Sequence, residues 1–207
     1  MSETTLYSLF PTAVVITSLD RKFTKDELDS VDKHSRLDML IKNEGNVTSA
    51  NNYILDEPEF KDLKEILTKH INDYIINIYK PKYKAIGYIT QSWLNYTKKG
   101  EFHHIHQHPN SFISGVLYIN AVEDVDKITF YRKENESLRL ATTAYEPYNS
   151  NTWWIGIKTY EIILFPSSLT HSVEPVKSDE TRISLAFNSF IKGVFGEKSE
   201  LTELINE

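Results

Sequence analysis

The sequence predicts an α+β fold in which helices come first and short strands follow. Apolar residues recur at steps of three and four through residues 57–79, as on one face of an amphipathic helix. After Pro81 the period changes to two, and β-branched and aromatic residues fill closely spaced segments bounded by turn residues. This order favours helices that pack against a mostly antiparallel sheet pair or barrel.

The length and composition indicate one folded domain. A chain of 207 residues can bury a full core, and 40% hydrophobic residues are typical of globular proteins. We therefore expect a single domain over residues 1–207, with a helical part at about 1–80 and a barrel core at about 84–192. The absence of a leader or a membrane-spanning apolar run favours a cytoplasmic location.

Charge and cysteine usage exclude some functions. The net charge of −6 disfavours nucleic acid as a partner, because phosphates require a basic face. The sequence contains no cysteine, so disulfides and thiolate metal ligands are excluded. Any metal must be bound by His, Asp or Glu.

The N-terminal part is expected to hold one strand and two helices. Residues 10–17 form a β-branched run after a proline, and residues 20–40 have the pattern of a helix. Thr24 is its expected N-cap, with Glu27 completing a capping box. The expected buried stripe of this helix is Leu28, Val31 and Leu37. Residues 43–53 are rich in polar turn residues and are expected to form a loop.

The second helix is expected over residues 57–79. Pro58 suits its first turn, and Asp56 is the expected cap. His70 lies within this helix and His34 within the first. Both are interpreted as solvated surface histidines without a ligand role, because isolated polar residues on helices are mostly exposed.

Seven strands are expected after Pro81. Their predicted ranges are 85–96, 112–119, 126–132, 152–157, 161–165, 172–176 and 182–190. Between them, residues 98–100 favour a turn and residues 133–150 favour a long loop near a site. Trp153 and Trp154 alternate faces, so one is expected in the core and the other over the site. The residues from Glu197 onward are expected to form a frayed helix.

A histidine cluster stands at residues 103–108, which contain four of the seven histidines. On a strand, His104, His106 and His108 would share one face. Imidazole is the commonest metal ligand of proteins, but two ligands on one strand do not complete a coordination shell. His171 lies on the C-terminal side of the cluster and is the expected third ligand.

Two later segments complete the pattern. An apolar strand ends at Pro166 and delivers His171 after a turn, and Arg182 follows eleven residues later. Eleven residues correspond to one strand, one turn and the start of the next antiparallel strand. Arg182 and Ser184 are expected on one face of that last strand.

These segments carry a resemblance to a known family. The order His-x-His-Pro…Ser-Gly-Val-x-Tyr, Phe-Pro-Ser…His-x-Val-x-Pro and Arg-x-Ser-x-x-Phe-Asn resembles the iron(II)- and 2-oxoglutarate-dependent oxygenases over about residues 93–188. Within them it is similar to small bacterial and phage proteins with an HxH-type motif. The resemblance implies a double-stranded β-helix, the jelly-roll or cupin-like barrel, with flanking N-terminal helices.

The resemblance also implies roles for individual residues. His106, His108 and His171 match the metal ligands, which would bind Fe(II), and Arg182 matches the partner of the distal carboxylate of 2-oxoglutarate. Ser184 matches its hydroxyl helper. As aromatic residues that we expect to be buried, Trp93 and Tyr118 would wall the cosubstrate pocket, and the Tyr118 hydroxyl is an expected second donor to the cosubstrate. Most of the superfamily has a carboxylate where this chain has His108. A different register, in which His103 or His104 replaces His108 as the second metal ligand, remains an alternative.

Three functions follow. The resemblance implies a dioxygenase that uses dioxygen and 2-oxoglutarate to hydroxylate a C–H bond, with release of succinate and CO2. A cupin-type three-histidine enzyme that does not use 2-oxoglutarate is the second reading, and a non-enzymatic jelly-roll binding module is the third. The sequence does not name the substrate, and a homodimer is one of the assemblies that it leaves open.

Overall fold

The computed structural model describes residues 4–133 and 140–207, and it consists of two antiparallel sheets and two α-helices. The helices are α1 (Lys25–His34) and α2 (Lys61–Tyr74). The strands are β1 (Val15–Ser18), β2 (Leu40–Lys42), β3 (Val47–Ser49), β4 (Ala85–Thr97), β5 (His103–His106), β6 (Ile113–Asn120), β7 (Lys127–Tyr131), β8 (Thr152–Gly156), β9 (Glu161–Pro166), β10 (His171–Val173), β11 (Arg182–Phe195) and β12 (Leu204–Asn206).

The two sheets have different sizes. The larger has the order β1-β9-β6-β11-β4-β3-β2, with β12 paired to the end of β11. The smaller has the order β5-β10-β7-β8. From β4 to β11, strands that follow one another in the chain mostly lie in different sheets, as in a jelly roll. The predicted α+β double-stranded β-helix with flanking helices is confirmed.

Two hydrophobic clusters lie on opposite faces of the larger sheet. The first joins the helices to that sheet and includes Leu67 and Ile71 of α2 together with Leu185 and Phe187 of β11. The second lies between the sheets and includes Tyr118, Ile128, Phe130, Ile163 and Phe165. The helices therefore cover one face of the barrel, and the smaller sheet covers the other.

Helix α1 begins after the predicted cap at Thr24, later than residue 20, and it ends early. Thr24 accepts a hydrogen bond from the backbone N–H of Glu27, and the Glu27 carboxylate accepts one from the backbone N–H of Thr24. This is the predicted capping box. The expected continuation to residue 40 is wrong, because the helix ends at His34 and a 3₁₀ turn at Leu37–Met39 leads into β2. Of the predicted stripe only Val31 is buried, whereas Leu28 is 45% and Leu37 91% exposed.

The second predicted helix consists of three parts. A 3₁₀ turn at Pro58–Phe60 leads into α2, and a π-helical turn at Ile75–Tyr79 ends it. Pro58 stands in the first turn as predicted. Asp56 was expected to cap the helix, which is wrong, because its carboxylate pairs with Lys64 instead.

Other N- and C-terminal predictions are corrected. The first strand is shorter than residues 10–17, because Phe10 has φ 56° and is outside the sheet. The expected loop at 43–53 contains β3, which pairs with β4. The expected frayed helix at the C-terminus is a short 3₁₀ turn followed by β12. Among the described helices, none has the length and apolar character that crossing a membrane requires.

Three side-chain predictions are also corrected. His34 is 1% exposed, and its Nε2 lies 2.8 Å from the Glu57 carboxylate, so it is a buried structural residue and not a solvated one. Trp153 and Trp154 are both exposed, so neither belongs to the core. The predicted loop at 133–150 lies in part, at residues 134–139, outside the described residues.

Candidate active site

The side chains of His106, His108 and His171 meet where the smaller sheet ends. His106 of β5 stands directly opposite His171 of β10, and their ring centroids are 4.3 Å apart. His108 follows β5, and its backbone N–H donates to the Ser167 carbonyl at 2.9 Å. The candidate ligand atoms of the three histidines all lie within 4.8 Å of one another. The structure thus brings together the three residues that the sequence predicted as metal ligands.

Backbone carbonyls fix the tautomers of two of these rings. His106 Nδ1 lies 2.8 Å from the carbonyl oxygen of His104, and His171 Nδ1 lies 2.9 Å from that of Leu169. A carbonyl can only accept, so each Nδ1 carries the proton and each Nε2 has a free lone pair. The Nε2 atoms of His108 and His171 are 3.4 Å apart. Two nitrogens each about 2.1 Å from one ion would be separated by about 3.0 to 3.4 Å.

Burial keeps the imidazoles neutral. Desolvation is the main cause that lowers the pKa of His108 to about 3 and that of His171 to about 4, with further lowering from neighbouring histidines. Desolvation also lowers the pKa of His106. A neutral imidazole is the form that binds a metal. The cluster is therefore in its metal-binding state at neutral pH.

One cavity joins the histidines to the predicted cosubstrate residues. Because side chains alternate along a strand, β4 directs Trp93, Asn95 and Thr97 to the same side. All seven residues predicted for the site line this cavity, namely Trp93, His106, His108, Tyr118, His171, Arg182 and Ser184. The prediction that Arg182 and Ser184 share a face also agrees with this arrangement.

Arg182 is buried at this cavity and has a partner that sequence reasoning missed. Its Nη1 donates to Asp126 Oδ1 at 3.0 Å, and the two side chains are 5% and 2% exposed. Asp126 Oδ2 accepts from the backbone N–H of Val122 at 2.8 Å. The bond to Asp126 uses one of the five N–H donors of the guanidinium. Nη1 and Nη2 each also lie 3.5 Å from the backbone carbonyl oxygen of Glu174, which is a longer contact.

Two buried polar atoms at the cavity have no hydrogen-bond partner among the described residues, Tyr118 Oη and Asn95 Oδ1. Burial raises the pKa of Tyr118, so its hydroxyl keeps its proton and can donate. Ser184 Oγ accepts from Asn95 Nδ2 at 3.4 Å and retains its own proton for donation. An unsatisfied buried donor costs about 1–3 kcal/mol. A carboxylate placed beside Arg182 would satisfy Tyr118, so the residues present fit 2-oxoglutarate.

The predicted face of the histidine cluster is partly wrong. His103 lines the cavity with His106 and His108, whereas His104 does not. The cause is an irregularity in the pairing of β5 with β10, where His106 faces His171 but His103 faces Val173. Three steps along β5 correspond to two along β10, and such a bulge reverses the alternation of side chains. No strand-period argument detects a bulge in advance.

Comparisons with known proteins relate the region that carries this site to one family. The model of the family described as putative 2OG-Fe(II) oxygenase matches residues 91–188, which include all seven predicted site residues. No curated protein matches the chain.

Solved structures resemble the fold at low sequence identity. A 2OG-Fe(II) oxygenase family oxidoreductase from Burkholderia pseudomallei is 14% identical with a TM-score of 0.55, and the match covers 85% of this chain and 83% of that one. HygX from Streptomyces hygroscopicus, solved with nickel and 2-oxoglutarate bound, is 11% identical with a TM-score of 0.57 over 86% and 82%. A prolyl-4-hydroxylase from Pseudomonas putida is 12% identical with a TM-score of 0.53 over 86% and 92%.

These likenesses agree with the fold, and the family match covers the strands that carry the histidines and the arginine. Residues 91–188, just under half of the chain, match the putative 2OG-Fe(II) oxygenase family, and the fold is that of solved members of this superfamily.

Proposed function

We propose that the protein is an iron(II)- and 2-oxoglutarate-dependent dioxygenase that hydroxylates a C–H bond of a substrate not yet identified. His106, His108 and His171 are the proposed metal ligands. The observation that carries the proposal is that the neutral rings of His106 and His171 each keep Nε2 bare while Nδ1 donates to a carbonyl, beside a cavity that contains Arg182. Three protein ligands would leave positions open for a chelating cosubstrate and dioxygen.

Arg182 is the proposed partner of the distal carboxylate of 2-oxoglutarate. A guanidinium presents its donors in a planar fork that matches a carboxylate, and Asp126 fixes one end of this fork. Tyr118 would donate to the same carboxylate through its unpaired hydroxyl, and Ser184 would add a second hydroxyl. The pair of Asp126 and Arg182 has no net charge, so the cosubstrate would be bound mainly by oriented hydrogen bonds.

The remaining residues shape the cavity. The Trp93 ring lies 5.8 Å from the His108 ring and forms part of the cavity wall. When bound, iron and 2-oxoglutarate would supply the oxidising chemistry, in which dioxygen, 2-oxoglutarate and a C–H bond give succinate, CO2 and an alcohol. The protein would supply the metal ligands, the carboxylate clamp and the cavity that holds them.

Two observations favour a second candidate, a three-histidine enzyme of cupin type that does not use 2-oxoglutarate. No carboxylate joins the histidines that form the candidate metal group in the described residues. Arg182 also already has an anionic partner in Asp126. In this reading Arg182 is a structural residue, and the open metal positions would take the substrate directly. The family match over residues 91–188 favours an enzyme over the third reading, a non-enzymatic binding module.

Calorimetric titration of the manganese(II)-loaded protein with 2-oxoglutarate separates the two candidates and needs no substrate. The proposal predicts one binding site per chain. Arg182→Met should weaken binding by about 30- to 100-fold, since hydrogen bonds to a charged group contribute about 2–3 kcal/mol. Arg36→Met, at an exposed residue, is the control and should leave binding unchanged. Wild-type protein that binds manganese but not 2-oxoglutarate would favour the second candidate.

A further inference from the structure

We infer that the histidine cluster contains a second metal position, formed by His103, His104 and His106 and exclusive of the first. We call these three residues the outer triad, and His106, His108 and His171 the inner triad. The inference shares His106 with the proposed function. It concerns where a metal ion can be held, and it does not require 2-oxoglutarate.

The two triads have nearly the same geometry. In the outer triad the ring centroids are 4.5, 4.9 and 5.3 Å apart. In the inner triad they are 4.3, 4.9 and 5.2 Å apart. In each triad the candidate ligand atoms lie within 4.8 Å of one another. Small rotations of the rings would bring three nitrogens to about 2.1 Å from a common ion in either place.

His106 makes the two positions exclusive. Its Nδ1 donates to the backbone carbonyl of His104 at 2.8 Å, so Nε2 is its single available ligand atom. One lone pair can coordinate one ion at a time. The cluster of five histidines should therefore bind one metal ion per chain in either of two positions.

The outer triad is tethered by the segment between β2 and β3. His104 Nδ1 lies 3.4 Å from the carbonyl oxygen of Glu44, which leaves its Nε2 free as a ligand. His103 Nε2 lies 3.4 Å from Asn43 Nδ2, a long contact that coordination by His103 Nε2 would replace. Three imidazole ligands suit borderline divalent ions such as Co²⁺, Ni²⁺, Cu²⁺ and Zn²⁺.

The position of Arg182 distinguishes the two triads in function. Both His108 and His171 line the cavity with Arg182 and Tyr118, whereas His104 does not. A chelating cosubstrate clamped by Arg182 would therefore favour an ion in the inner triad. By linkage, such a ligand shifts a shared ion from the outer to the inner position.

Cobalt(II) titration followed by absorption spectroscopy and calorimetry tests the inference. Wild-type protein freed of metal should bind one Co²⁺ per chain. The double variant His108→Ala/His171→Ala, which lacks two inner ligands, should still bind one Co²⁺ through the outer triad. Adding His104→Ala to it should weaken Co²⁺ binding at least tenfold. His104→Ala alone should keep the wild-type stoichiometry and its affinity for 2-oxoglutarate in the manganese form.

Circular dichroism and thermal melting establish that each variant is folded, and His108→Asn replaces the double variant if that variant does not fold. The second metal position is overturned if the variant that lacks inner-triad ligands binds no Co²⁺. It is also overturned if adding His104→Ala to that variant leaves its Co²⁺ affinity unchanged. Two Co²⁺ ions per wild-type chain overturn the exclusivity. Wild-type protein that binds no Co²⁺ contradicts the proposed function as well as the second position. Loss of binding in the inner-triad variant alone contradicts only the second position, so the two failures are distinguishable.

Discussion

Arg182 Nη1 lies 3.0 Å from Asp126 Oδ1, and both side chains are almost completely buried beside the candidate metal site. The two residues come from different sheets, since Asp126 immediately precedes β7 and Arg182 opens β11. Their contact therefore joins the two sheets at the cavity. A buried ion pair costs desolvation, and removal of one partner leaves an uncompensated charge.

Asp126→Asn should lower the free energy of unfolding by about 3 kcal/mol, because it leaves the Arg182 charge buried without an anion. Urea denaturation measures the effect. Asp179→Asn is the matched control, because its pair with Lys99 is exposed and should contribute less than about 1 kcal/mol. Equal losses of unfolding free energy in the two variants would mean that the buried pair contributes no more to stability than the exposed pair.

Tyr118→Phe should have opposite effects with and without cosubstrate. Without it, the variant should be as stable as wild type or about 1 kcal/mol more stable, because an unpaired buried hydroxyl is removed. In the manganese form, it should bind 2-oxoglutarate about 10- to 150-fold more weakly, as loss of one hydrogen bond to a charged group implies. Thermal melting and calorimetry measure the two quantities. Unchanged affinity would remove Tyr118 from the cosubstrate site.

The ion pair between Arg21 and Glu27 at the start of α1 predicts a loss of stability in acid. Burial acts to raise the pKa of Glu27, but hydrogen bonds from Arg21 and the Thr24 backbone outweigh it, and the net pKa is lowered. A carboxyl whose folded pKa is lowered stabilises the protein fully above its ordinary pKa of about 4.5. That stabilisation is lost as the pH falls through the lower folded value. Glu27→Gln should therefore be less stable than wild type at pH 7, and the difference should shrink toward pH 3 in urea denaturation. A difference that does not change with pH would contradict this assignment.

Gly115→Ala should destabilise the sheet by about 1–3 kcal/mol through overpacking. A Cβ at this position would lie 2.2 Å from Phe187 Cζ and 2.7 Å from Leu164 Cδ2, both in the buried core. Gly156→Ala is the control, because a Cβ there meets nothing within 4 Å, and it should change stability by less than about 0.5 kcal/mol. The two variants are compared by chemical denaturation, and similar results for both would exclude a packing role for Gly115.

The features of the fold and of the site that follow from local sequence patterns were predictable. Alternation along β11 predicted that Arg182 and Ser184 point the same way, and the capping box at Thr24 and Glu27 predicted the start of α1. Both features depend on residues a few positions apart. The spacing of His171 and Arg182 added the connection between neighbouring strands.

The features that depend on tertiary pairing could not be predicted in this way. His103 replaces His104 at the cavity because of a bulge, and Asp126 reaches Arg182 across 56 positions of sequence. The burial of His34 depends on Glu57, which lies before α2. The exposure of Leu37 shows that an apolar residue at a helical step need not be buried once the helix has ended.

In the proposed site, His106, His108 and His171 bind iron while Arg182 binds 2-oxoglutarate beside it. Anaerobic titration with iron(II) and 2-oxoglutarate, followed by visible absorption, tests it most directly. We expect a charge-transfer band that saturates at one iron per chain in the wild type and is lost in His171→Ala. Absence of the band in wild type, or its persistence in His171→Ala, would show that these residues do not form the proposed iron site.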